Sequence, residues 1–186
     1  MIIAITGCSG SGKSFVSNVL SEKIGAIMPT HTTTRAPRKD DNGFYKYVTK
    51  EQFLNMITNN ELFIASGDGR RYYGVEMCEL EEAKKISSMQ IINVSLKDIG
   101  TLSGRPDTII VLTKHRNFVR DFFRKGIIDK VGIVEAINRF FIYLYDYLHN
   151  YRKIKSFVSY IVVFEDKLSS IEERIDEIVY ELVGAR

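Results

Sequence analysis

Residues 7–14 read Gly-Cys-Ser-Gly-Ser-Gly-Lys-Ser and fit the spacing G-x-x-x-x-G-K-[ST]. That spacing supports one kind of chemistry, the cradling of a nucleoside triphosphate's phosphates. Gly7, Gly10 and Gly12, with Ser9 and Ser11 between them, let backbone N–H groups turn inward toward phosphate oxygens. Lys13 reaches the β- and γ-phosphates, and the Ser14 hydroxyl is placed to ligate Mg²⁺. A helix starting at Lys13 adds its positive N-terminal end. From average residue usage the pattern arises by chance in under about 1% of chains this long, so a glycine turn without a ligand is the weaker reading.

Such a loop needs a strand before it and a helix behind it. Residues 2–6 (IIAIT) read as a short buried strand. Residues 13–24 read as a helix with Phe15, Val16, Val19, Leu20 and Ile24 on its apolar face, stopped by Gly25. The β-branched runs 90–95 and 108–112 read as further buried parallel strands, and the stretch 158–164 is strand-like. A helix over 169–183, capped by Ser169 or Ser170, presents Ile171, Ile175, Ile178, Val179 and Leu182. These elements predict an α/β fold, a P-loop NTPase-type parallel sheet flanked by helices.

Residues 30–85 break that rhythm and read as a small, mostly β lobe inserted into the core. Within it, 44–48 alternates like a strand with one wet face. A helix starting at Lys50 is introduced by a capping box of Thr49 and Gln52. Residues 116–148 read as helical and rich in arginine and aromatics. Phe140, Phe141, Leu144, Tyr147, Leu148 and Tyr151 recur at helical spacing and are expected to pack on the sheet, with Tyr143 left for solvent or a homodimer contact. The expected division is one domain over 1–186: core 1–29, 86–114 and 152–186, lobe 30–85, lid 115–151.

Composition bounds the rest. With 45% hydrophobic and 26% charged residues, 186 residues suffice for one globular core. The 26 cations nearly match 23 anions, and without a basic run this permits a nucleic-acid partner but does not argue for one, so none is expected. Cys8 and Cys78 have no metal-ligand spacing and read as free thiols. The apolar start MIIAIT lacks the flanks of a signal peptide. No stretch approaches the roughly 18 apolar residues of a membrane span. The expectation is a cytoplasmic protein without membrane contact. A guanine-reading N-K-x-D motif is absent from the sequence, which argues against a GTPase.

The run Thr33-Thr34-Arg35-Ala36-Pro37-Arg38, then Asn42-Gly43 with Tyr45, Asn59-Asn60-Glu61 and Tyr72-Tyr73-Gly74, resembles the guanylate kinase family. The resemblance runs in order along nearly the whole chain. It implies ATP as phosphoryl donor, Mg²⁺ as cofactor and small nucleotides as partners. It also implies that Arg35, Arg38, Tyr45 and Tyr73 hold the acceptor's phosphate. Their chemistry agrees, since arginines grip phosphate as bidentate forks and phenols donate to it. By the same resemblance Arg120, Arg124 and Arg139 are lid arginines that close, with Lys13, on the transferring phosphoryl group.

The base-reading positions depart from the family. Its guanine-reading acid falls on Ile64, a base-reading serine on His31, and the small hydroxyl after Tyr-Gly on Val75. The acidic pair closing the third core strand is Asn93 and Ser95, and only Asp40 or Asp41 remains after the arginine motif. Ser66 and Asp68 are candidate substitutes. The expected activity is ATP-dependent phosphoryl transfer to a nucleoside monophosphate, GMP or a related one. Two alternatives stay open: a P-loop kinase for another small phosphorylated acceptor, and a non-catalytic phosphopeptide-binding module, which the presence of Lys13 and Ser14 disfavours.

Overall fold

The computed structural model describes residues 1–8, 11–37, 43–67, 69–115, 137, 141, 144–145, 148–150, 154, 156–164 and 168–184. In chain order its elements are β1 (Ile2–Gly7), α1 (Lys13–Ile24), β2 (His31–Thr33), β3 (Tyr45–Tyr47), α2 (Lys50–Thr58), β4 (Leu62–Gly67), β5 (Tyr72–Glu76), α3 (Met77–Ile86), β6 (Gln90–Val94), β7 (Thr108–His115), β8 (Tyr160–Phe164) and α4 (Leu168–Gly184). A turn of 3₁₀ helix, Ile99–Thr101, follows β6.

One sheet is parallel throughout, in the order β6-β1-β7-β8. The second strand in that order, β1, is buried on both faces, which explains its unbroken apolar run. Ile2 and Ala4 pack with Ile92, Val94, Ile110 and Leu112 on one side. Ile3 and Ile5 pack with Val16, Leu20, Ile171, Ile175 and Ile178 on the other. Each such isoleucine stabilises the fold by about 1.5–3 kcal/mol through burial. The closing helix α4 spans Leu168–Gly184, close to the expected 169–183. Gly25 ends α1 at φ 63°, a left-handed geometry that glycine adopts without strain.

The second sheet has the order β3-β2-β5-β4. Its register separates two faces, because residues opposite each other in paired strands share a side. His31 lies opposite Tyr45 and Val75, and Val75 opposite Ile64. Thr33 lies opposite Tyr47 and Tyr73, and Tyr73 opposite Ser66. The other face carries Thr32, Lys46, Gly74 and Glu76 and receives Phe53 of α2. A side chain at Gly74 would meet the Ile64 carbonyl oxygen at 2.9 Å and Phe53 at 3.1 Å, so helix and sheet close only over glycine here.

The capping box forms as expected: Thr49 Oγ1 accepts from Gln52 N, and Thr49 N donates to the Gln52 side chain. Helix α3 was not foreseen, since only Leu80 and Ala83 of its residues are buried. Of the helical stretch expected over 116–148, the described residues 137, 141, 144 and 145 and 148 are helical, and the others lie outside the described residues. Phe141, Leu144 and Leu148 are exposed, which corrects their expected place in the core. Around them Tyr145 stacks on His149, one helical turn along, with ring centroids 4.4 Å apart, while buried Ile154 supplies the contact with the core. Among the described residues no helix is long and apolar enough to cross a membrane.

Glu76 is the buried carboxylate of the second sheet. It accepts from Thr32 Oγ1 at 2.6 Å and pairs with Lys46 Nζ at 2.8 Å. Burial pushes its pKa up, but the hydrogen bonds from Lys46 and Thr32 outweigh it and hold the carboxyl below its ordinary 4.5. A carboxyl with a depressed folded pKa contributes stability above its unfolded pKa and loses it as pH falls through the folded one. Urea unfolding of the wild type should therefore lose stability as pH falls below 4.5, and Glu76→Gln should flatten that slope. An unchanged slope in the variant would show that the carboxylate carries none of it.

Candidate active site

The end of β1 delivers the glycine loop. Gly7 sits at φ 151°, where a side chain would run into Ser11 Oγ and the Thr113 carbonyl oxygen. Thr113 Oγ1 donates to the Thr6 carbonyl at 3.1 Å, so its single hydrogen is spent and Ser11 Oγ donates to Thr113 across 2.7 Å. The neighbouring strand β7 thus clamps the loop through Thr113, a residue the sequence did not single out. Gly12 turns the chain into α1 at φ 85°. Lys13 Nζ folds back over the loop and donates to the carbonyls of Gly7 at 2.8 Å and Cys8 at 2.9 Å. Ser14 is exposed at the helix start, and among the described residues its hydroxyl makes no hydrogen bond. Ser9 and Gly10 lie outside the described residues.

A second cationic centre sits on the first face of the smaller sheet. The Arg35 guanidinium lies 4.5 Å from the Tyr45 ring centroid and 5.9 Å from that of Tyr47. It is buried, not a solvated surface charge, and its Nη1 donates to the Ala36 carbonyl at 3.0 Å. Aromatic faces attract such a cation and hold its plane. The threonines before it are structural. Thr33 Oγ1 donates to the Tyr72 carbonyl and Thr34 Oγ1 accepts from Tyr72 N, fastening β2 and the following turn to β5. Tyr73 shares the face with Tyr45, and among the described residues neither hydroxyl is hydrogen-bonded. Arg38, Arg120, Arg124 and Arg139 lie outside the described residues.

His31 joins the two centres. It is buried; its Nδ1–H donates to the Pro29 carbonyl at 3.0 Å, and its Nε2 accepts from the Asn93 backbone N–H at 3.2 Å. A carbonyl only accepts and an amide N–H only donates, which fixes the neutral Nδ1–H tautomer. Asn93 Oδ1 accepts from Ser17 Oγ at 2.8 Å, and Ser17 Oγ also lies 2.9 Å from the Lys13 carbonyl oxygen. One chain of polar contacts therefore runs from the helix behind the glycine loop, through β6, to β2. Ile64 and Val75 are buried in the cluster with Ile92, Val94 and Leu96. Neither they nor the committed nitrogens of His31 offer a hydrogen bond to a ligand.

Among the described residues, the side-chain oxygens placed behind the loop, Ser17 Oγ and Asn93 Oδ1, and the Ser14 hydroxyl at the helix start are neutral. No group of three His, Cys, Asp or Glu able to hold a metal occurs among the described residues. Mg²⁺ keeps several waters and binds through few protein ligands plus substrate phosphates, and the exposed Ser14 hydroxyl suits an ion that arrives with a triphosphate.

A parallel sheet whose first strand ends in this loop, with α1 rising from it, defines a P-loop nucleotide-binding protein. The family model for guanylate kinase matches residues 1–117, and the chain belongs to the guanylate kinase family. It is similar to guanylate kinase of Fusobacterium nucleatum, 26% identical over 98 residues that cover 52% of this chain and 53% of the relative. The chain thus spans about half the length of that relative. Guanylate kinase of Aster yellows witches'-broom phytoplasma is 23% identical across 96% of this chain and 85% of its own length. The crystal structure of guanylate kinase from Anaplasma phagocytophilum shares the fold, with a TM-score of 0.68 and 19% identity over all of this chain and 85% of that one.

Burial pushes the His31 pKa below its ordinary 6.5. As pH falls through 6.5 the unfolded chain takes up this proton while the folded one does not, so stability drops until the folded pKa is passed. Unfolding free energy should decline from pH 7 to pH 5, and His31→Gln should remove that component of the decline. An identical pH dependence in wild type and variant would contradict the assignment.

Proposed function

We propose that this protein transfers the γ-phosphoryl group of ATP to the phosphate of a nucleoside monophosphate, GMP or a related one, giving ADP and the diphosphate. The observation that carries this reading is the pairing of two phosphate centres, Lys13 in the glycine loop and Arg35 on the tyrosine face, linked through Ser17, Asn93 and His31.

An oxygen of the acceptor phosphate attacks the γ-phosphorus, and the bond from that phosphorus to the β,γ-bridging oxygen breaks. Four or more negative charges converge, so catalysis consists mainly of positioning and neutralisation. Lys13 trades its two carbonyl contacts for the β- and γ-phosphates. The backbone of 7–13 and the N-terminus of α1 face the donor's anionic oxygens. Arg35 grips the acceptor phosphate as a fork, held in plane by Tyr45, while the Tyr45 and Tyr73 hydroxyls donate to the same oxygens. Ser14 would help to hold a Mg²⁺ ion that arrives with the triphosphate, and the ion would supply charge neutralisation. The family resemblance gives Arg38 to the acceptor phosphate and Arg120, Arg124 and Arg139 to the lid over the transferring group. In this reading 30–85 is the acceptor lobe and 115–151 the lid. Free thiols at Cys8 and Cys78 suit a cytoplasmic setting.

ADP release from Mg·ATP, measured with each common ribo- and deoxyribonucleoside monophosphate in turn, tests the proposal. Turnover with at least one is expected, and Lys13→Ala should lower kcat about a hundredfold or more. Arg35→Lys should lower kcat/KM for the acceptor about tenfold or more while sparing the KM for ATP, because a lysine cannot replace a bidentate fork. No turnover with any of them while ATP still binds would contradict the proposal.

A further inference from the structure

The acceptor face lacks a polar reader at the positions the family uses, since Ile64 and Val75 are packed into the core and both His31 nitrogens are committed. Glu76 is no substitute, because it lies on the opposite face and is occupied by Thr32 and Lys46. Another carboxylate is tied to the acceptor face from outside the lobe. Ser66, opposite Tyr73 on that face, donates through Oγ to Ser95 Oγ at 3.1 Å. Ser95 Oγ then donates to Asp98 Oδ2. Lys97 Nζ donates to the Gly67 carbonyl, so the loop after β6 holds the end of β4 at two points.

The direction of these bonds matters. Each hydroxyl has one hydrogen, and both hydrogens run toward Asp98. Ser66 Oγ is left with acceptor capacity, and among the described residues Asp98 Oδ1 accepts no hydrogen bond. Asp98 is half-buried, so its free oxygen is partly shielded from water. We infer that Asp98, seconded by Ser66, is the specificity-determining acceptor pair for a base edge bearing two adjacent donors, which among the common nucleobases is guanine's N1–H and N2–H₂ edge. The inference rests on the proposed function, because it names the base taken by that same acceptor site. Adenine would turn the lone pair of N1 toward the Asp98 carboxylate, an unfavourable pairing that discriminates as strongly as the favourable one. Hypoxanthine offers N1–H without the amino group and falls between the two.

The test compares wild type, Asp98→Asn and Ser66→Ala with GMP, IMP and AMP, by kcat/KM and by calorimetric Kd for GMP. For GMP, Asp98→Asn should lower kcat/KM about a hundredfold, as expected when a partly shielded reader loses its match. AMP should improve, because the carboxylate that repels its N1 lone pair is gone, the preference for GMP over IMP should narrow, and the KM for ATP should hold. Ser66→Ala, which leaves the carboxylate in place, should cost GMP about tenfold. Equal losses for all three nucleotides would mark Asp98 as a loop-positioning residue and overturn the inference. So would unchanged GMP turnover in both variants, which would leave the kinase reading standing. GMP binding that weakens in Asp98→Asn when even the wild type shows no turnover would support the base pocket and sink the kinase. Absence of GMP binding by the wild type would overturn both.

Discussion

Two sheets meet where the Asn93 backbone N–H donates to His31 Nε2 at 3.2 Å, and the site is organised around that bond. Asn93 belongs to β6, beside the strand that ends in the glycine loop, while His31 opens the strand that leads to Arg35. The same asparagine takes a hydrogen bond from Ser17, one turn into the helix that carries Lys13. The position of Lys13 relative to Arg35 thus passes through a few short polar contacts, backed by Ile64 and Val75 packing on Ile92 and Val94. The proposed phosphoryl transfer would be favoured by such fixed geometry, because holding two reactants in place removes entropy from the barrier.

The smaller sheet divides its polar groups by face. Toward α2, Thr32 and Lys46 both bond to Glu76. Toward the core, Tyr45, Tyr73, Ser66 and Arg35 present groups that a ligand can use. The division follows from strand alternation, because a one-residue slip would exchange the two sets. A β-bulge between Leu62 and Ile64 sets the phase of β4, turning Ile64 inward and leaving Leu62 on the side of Gly74 and Phe53. Function here depends on register as much as on composition.

Much of this was legible in the sequence. The strands of the parallel sheet announce themselves as β-branched runs because both of their faces are buried. The strand, loop and helix order around Lys13 is legible because the spacing of the glycines requires it. Thr49 and Gln52 declare the start of α2 through a local contact. The strand His31–Thr33 was not legible. Its residues have no alternation of apolar and polar, and it is a strand because Thr32 and Thr33 find partners on Glu76 and Tyr72. Thr113, Ser17 and Asp98 were equally silent, since each acts through a partner 30 to 100 or so positions away or through a loop whose path the sequence does not state. The exposed Phe141, Leu144 and Leu148 mark the opposite error, in which helical spacing of apolar residues was taken for burial.

A single-turnover experiment with ATP labelled at the γ-phosphate, mixed with excess protein and GMP, tests the central claim most directly. The account predicts that the label appears in the β-phosphate of GDP, with ADP formed in equal amount. Label released as inorganic phosphate, or retained in ATP while GMP is bound, would contradict it.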